Sequence, residues 1–190
     1  MTETSTDQRV FREDYRNYDL IARYWDGSYR GRLFKQKERV ADIEGDDLDV
    51  IVQELRKSVD QLVHERQKQR KKEPTVGEWQ AALSALQPRL KEEQRLMLLT
   101  HARAEEGIVS LGVLQRTGHY PTVPTTIAQY AALAQRLADE VGYNPPAKGY
   151  DPAVLSVVLT KPFAVSSAAL LTDTVVLRAH LREAVRLLVG

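Results

Sequence analysis

Between Leu20 and Val63 the hydrophobic period changes once, from two residues to three and four, which leaves the segment few ways to fold. Leu20, Ala22 and Tyr24 alternate with Ile21, Arg23 and Trp25, the repeat of a strand with two unlike faces. Asp26-Gly27 then predicts a hairpin turn, because both residues accept positive φ at low cost. A second strand is expected over Tyr29 to Gln36, with Gly31 marking a bulge or a close backbone approach, and a third over Arg39 to Glu44. Beyond Gly45, Asp46 and Asp47 are candidate N-caps for a helix whose apolar side is Leu48, Ile51, Val52, Leu55, Val59, Leu62 and Val63. The unit expected is a three-stranded antiparallel sheet covered on one side by one long helix.

The flanking sequence is less constrained. Residues 1–17 carry many charges and few large aliphatics, and are read as a flexible arm. The run from His64 to Lys72 loses its apolar side and becomes basic, so the first domain is set at 18–72. Thr75 and Glu78 form a capping-box pattern ahead of Trp79, Ala82, Leu83 and Leu86; Pro88 either kinks that helix or opens the next, which runs to about Ala104, giving a helical pair over 73–104. Residues 105–190 are read as a mainly helical module. Its parts are a short helix over Ile108 to Arg116, a turn at Gly118, a helix from Pro124 to Val141 capped by Gly142, a rigid loop through Asn144-Pro145-Pro146 and Gly149-Tyr150-Asp151-Pro152, strand character over Val154 to Thr160 pairing with Thr174 to Leu177, and a last helix. The fold class expected is α+β.

Composition removes several mechanisms. The chain has no cysteine, so thiol nucleophiles, disulfides and cysteine zinc sites are excluded. Its 27 basic and 26 acidic residues give a net charge of +1, and any attraction to nucleic acid must be local. Met1 to Gln8 is polar throughout and no apolar run approaches the roughly 18 residues of a membrane span, so a cytoplasmic chain without a membrane partner is expected. No phosphate-binding glycine loop and no Gly-x-Ser-x-Gly elbow occurs. The acidic group Asp42, Glu44, Asp46, Asp47 and Asp49 is read as helix capping and an exposed strand face rather than a metal site, and His101 with Glu105 as a surface pair near a helix end. The expectation is a protein with no catalytic residue, no metal and no cofactor.

The strongest local charge is the basic run Arg66, Lys68, Arg70, Lys71 and Lys72, a candidate phosphate contact. Two helices joined by a Gly-containing turn and followed by a hairpin suit a winged helix-turn-helix, in which Gln129, Gln135 and Arg136 are candidate nucleic-acid contacts. Basic and acidic residues balance from Ala104 onward, which also suits a protein partner. A free strand edge near Leu20 to Trp25 would allow a homodimer.

Two stretches carry a resemblance. Tyr29-Arg30-Gly31-Arg32 with Val40-Ala41-Asp42-Ile43-Glu44-Gly45-Asp46-Asp47-Leu48-Asp49 resembles the HicB-like β-β-β-α unit of bacterial antitoxins. That resemblance implies a non-catalytic binding domain related to a degraded RNase H fold. Leu114-Gln115-Arg116-Thr117-Gly118-His119-Tyr120, continuing through Ala128-Gln129-Tyr130-Ala131-Ala132-Leu133-Ala134, Leu137-Ala138 and Val141-Gly142-Tyr143, is similar to a helical accessory module of bacterial restriction proteins that carry HNH nucleases. The His-Asn-His arrangement is missing, so that resemblance implies the accessory role alone. Two functions follow as expectations: a DNA-associated regulatory or phage-defence component, or an antitoxin or immunity protein that binds a toxin or nuclease directly.

Overall fold

The computed structural model describes residues 10–146, 153–160 and 171–189, and the fold is α+β. It divides into two compact units, residues 1–65 and 66–190. The division falls inside the first helix rather than at residue 72, and the helical pair expected over 73–104 belongs to the second unit.

The first unit is a four-stranded antiparallel sheet in the order β1 (Phe11–Tyr15), β2 (Tyr18–Trp25), β3 (Ser28–Lys35), β4 (Glu38–Gly45), followed by helix α1 (Leu48–Gln69). Each hairpin turns on two residues with positive φ: Arg16-Asn17, Asp26-Gly27 and Gln36-Lys37. That geometry matches the right-handed strand twist, and it sets the register on both sides of every turn. Strand β1 corrects the reading of residues 1–17 as an arm, of which residues 1–9 lie outside the described residues. It went unseen because much of its hold on α1 is polar. Glu13 accepts from Arg56 at 3.0 Å, and Asp60 accepts from the Tyr15 hydroxyl at 3.2 Å and from Arg16 at 2.8 Å. Strand β2 is therefore internal, and among the described residues the edge strands are β1 and β4 instead of Leu20 to Trp25.

Tyr18, Leu20, Ala22 and Leu33 pack beneath Ile51, Val52, Leu55, Val59 and Val63 of α1. Asp47 caps the helix, its Oδ1 accepting from the backbone N–H groups of Asp49 at 2.8 Å and Val50 at 3.1 Å. Gly31 is a close approach: a Cβ there would collide with Ile51 Cγ2 and lie 3.0 Å from Leu55 Cδ1. The register irregularity of β3 sits further on, between Leu33 and Phe34.

The second unit contains α2 (Val76–Leu86), α3 (Glu92–Arg103), β5 (Ile108–Ser110), α4 (Leu111–Thr117), α5 (Val123–Val141), β6 (Thr174–Val176) and α6 (Ala179–Val189). Trp79, Leu86, Met97, Leu114, Leu133, Leu137, Leu155 and Leu159 are among its fully buried side chains. Pro88 lies in a 3-10 turn, Gln87–Arg89, that separates α2 from α3. Three local expectations change. Ile108–Ser110 is a strand, not the start of a helix, because Ser110 caps α4 by accepting from the Val113 N–H. Ala153–Val157 is a 3-10 helix rather than a strand, and only Leu159 bridges to Leu177. Strand β6 pairs with β5 instead. The segment Gly149 to Pro152 lies outside the described residues.

The Thr75–Glu78 capping box forms, with Glu78 Oε2 accepting from the Thr75 N–H at 2.8 Å and Thr75 Oγ1 accepting from the Glu78 N–H at 3.4 Å. Arg70 also pairs with Glu78, and these contacts, the Arg70 hydrogen bond first, hold the Glu78 carboxyl down at about 2. Thr75→Ala is expected to destabilise the chain by about 1 kcal/mol in denaturant melts, since it strands one N-terminal donor of α2. A midpoint equal to that of the parent would show that the box contributes nothing.

Candidate nucleic-acid interface

The side of the sheet away from α1 is set by the same alternation that buries the other side, and it concentrates arginine. The antiparallel register aligns Arg12, Ile21, Arg32 and Asp42 in one row across β1 to β4, and Arg23, Arg30 and Glu44 in the next. A third row holds Asp14, Asp19, Phe34 and Arg39. Arg12, Arg23, Arg30 and Arg32 surround a depression of about 230 Å³ whose apolar lining is Val10, Ile21 and Phe34.

The four cations are not equally neutralised. Arg32 Nε lies 3.3 Å from Asp42, which also pairs with Arg39 at 3.2 Å. Arg30 Nε lies 3.7 Å from Glu44, and that nitrogen makes no hydrogen bond. Glu44 accepts instead from the Ser28 hydroxyl at 2.6 Å. Neither Arg12 nor Arg23 pairs with a carboxylate among the described residues; both are exposed. Arg23 stands directly opposite Arg30, a like-charge pairing that costs a sheet a few tenths to about 1 kcal/mol. Its guanidinium lies 4.7 Å from the ring centroid of Trp25, which is 49% exposed on the same face. The surface thus offers cations, a half-exposed indole and an apolar floor together, with carboxylates along its β4 border.

The residues named from sequence are distributed differently. Arg66 donates to the carbonyls of Asp139 at 3.4 Å and Glu140 at 3.2 Å, where a cation complements the C-terminal end of α5. Arg70 is taken up by Glu78, while Lys68, Lys71 and Lys72 are exposed. On α5, the Gln129 carbonyl accepts from Gln94, the Gln135 amide donates to the buried Asp139 at 2.8 Å, and Arg136 is half-buried. The sequence reading missed the sheet face, although Arg23, Arg30 and Arg32 stand at alternate positions in phase with Trp25 and Phe34. Net charge over the chain hid it.

Other sites do not assemble. Among the described residues no group of three or more His, Asp or Glu side chains could hold a metal ion. Asp47 caps the helix N-terminus, as the sequence reading expected, while Asp42 and Glu44 are engaged by Arg32 and Arg30, partners that reading did not name. His101 is not a surface residue: it is fully buried, with Nδ1 2.7 Å from the Tyr130 hydroxyl and Nε2 3.3 Å from the Val175 carbonyl. No helix of the described residues is long and apolar enough to cross a membrane. No protein-family model matches the chain, and neither curated proteins nor solved structures yield a match.

Proposed function

We propose that the chain is a non-catalytic nucleic-acid-binding protein, of a regulatory or defence-accessory kind, that contacts phosphates through the outer face of its sheet. The observation that carries this reading is the cluster of Arg12, Arg23, Arg30 and Arg32, two of them without a carboxylate partner among the described residues. Guanidinium groups are suited to phosphate oxygens, and each phosphate neutralised releases counterions and ties affinity to salt. The second unit supports the reading less directly. Its order of helix, strand, helix, helix and returning strand is that of a winged helix-turn-helix, but about half of α5 is committed to the core.

The test is fluorescence anisotropy with labelled oligonucleotides, single-stranded and duplex, titrated from 50 to 200 mM salt. Arg12→Gln with Arg23→Gln is expected to weaken binding about tenfold or more at low salt and to lower the log–log salt slope by about 1.5, for two lost phosphate contacts. An unchanged slope in the double variant would remove the sheet face as the site.

A second reading, neutralisation of a toxin by direct protein contact, is favoured by the β4 edge, which pairs with no further strand among the described residues and where Val40 is 43% exposed. Pull-down with a toxin encoded beside it, surviving the double arginine change, separates this reading from the first.

A further inference from the structure

Resting on the nucleic-acid reading above, we infer that the ligand of the arginine face is a single strand, held by phosphate contacts to the arginines and by a base stacked on Trp25. Width is the first argument. Four strands at about 4.8 Å spacing place the outer two about 14 Å apart before side chains are counted. The major groove of duplex DNA is about 12 Å wide and admits an α-helix or a two-stranded ribbon. A four-stranded sheet therefore meets a duplex only on its outside, where few of the arginines would reach phosphates together. A single strand can be laid across the strands of the sheet.

The second argument is the aromatic ring. Trp25 is half exposed at the end of β2, on the arginine side, and its ring is held by the guanidinium of Arg23. A base inside a duplex is already stacked and offers no free face, whereas an unpaired base does. Phe34 and Ile21 extend the apolar floor between Arg12 and Arg32. The third argument is the border of carboxylates. Asp42 and Glu44 line β4, and Asp14 and Asp19 close the row at the other end. They bound the face on those two sides and leave a track over β1 to β3, through Arg12, Arg32, Arg30 and Arg23, toward Trp25. An acidic peptide would satisfy the arginines but would make no use of the ring.

The experiment uses the full chain and three probes at equal salt: a labelled 12-nucleotide oligothymidine, a 12-nucleotide oligouridine and a 12-base-pair duplex, with polyglutamate as competitor. Either single strand is expected to bind about tenfold or more tightly than the duplex, and the stronger of the two says whether DNA or RNA is preferred. Trp25→Ala is expected to weaken single-strand binding roughly five- to hundredfold, while Trp25→Phe retains most of it. Binding should quench the Trp25 fluorescence, a signal lost in Trp25→Ala and independent of affinity. Circular dichroism checks that the variants fold, which an exposed site favours. Duplex affinity equal to that of the single strands, or a Trp25→Ala variant that binds like the parent, would overturn the single-strand inference and leave the phosphate reading standing. Polyglutamate displacing the oligonucleotide at equal charge would overturn it too. Failure of all three probes, or indifference to the double arginine change, would overturn both.

Discussion

Gly31→Ala is expected to destabilise the first unit by about 1–3 kcal/mol, near the upper end for an added methyl group. The reason is geometric. The new Cβ would collide with Ile51 Cγ2 and stand 3.0 Å from Leu55 Cδ1, and both side chains are buried, at 2% and 0% exposure. Neither is the loose end of a flexible chain, so α1 must lift or a rotamer must be forced. A unit of this size buries a small core and has little stability in reserve. Denaturant melts followed by far-UV circular dichroism measure the loss. Ile51→Ala supplies the control: alone it is expected to cost about 2–5 kcal/mol, and in the double variant it removes the atom that clashes. The two costs should therefore fall short of additivity by about 1 kcal/mol or more. Strict additivity would show that Gly31 matters for another reason, such as strand propensity.

Lowering the pH from 7 to 4 is expected to destabilise the chain through His101 by about 3 kcal/mol. Burial is the main cause that depresses its pKa to about 4, against an ordinary value of 6.5. The neutral ring fits its surroundings: Nε2–H donates to the Val175 carbonyl, and Nδ1 accepts from the Tyr130 hydroxyl. Tyr130 keeps its proton because burial raises its pKa. The folded state therefore excludes a proton that the unfolded chain binds below about pH 6.5. Stability from this residue is whole above that pH, is lost as the pH falls toward 4, and changes no further below it. Glu78, depressed to about 2, contributes in the opposite ionic sense at lower pH, losing its share between about 4.5 and 2. His101→Gln separates the two: the difference between parent and variant stabilities should shrink by about 3 kcal/mol from pH 7 to pH 4. A constant difference would mean that the His101 imidazole has the same pKa folded and unfolded, so that burial does not depress it.

Where one physical signal dominated, the sequence was readable. The helix over Leu48–Gln69, the Asp26-Gly27 turn, the Thr75–Glu78 box and the αL cap at Gly142 each rest on local chemistry that tertiary context did not override. Strand β1 was not readable, because its inward positions are Phe11, Glu13 and Tyr15, and the middle one is satisfied by an arginine 43 residues away. Ile108–Ser110 and Thr174–Val176 are three-residue strands that exist only by pairing with each other across the chain. The candidate site had the same difficulty. A basic run is visible as adjacent letters, whereas four arginines on three strands become neighbours only when the register is known. Arg66 shows the converse, a cation that looked available and is spent on the carbonyls of α5.

The polar clasp on β1 gives ionic strength two points of action. Partly exposed ion pairs such as Arg56–Glu13 and Arg16–Asp60 are weak and screened by salt. Strand β1 carries Arg12, so added salt would weaken the phosphate contacts proposed for the sheet face and also loosens the strand that presents one of its arginines. Binding measured against salt then reports a shape as well as a charge, and its curve steepens where the edge of the sheet begins to fray.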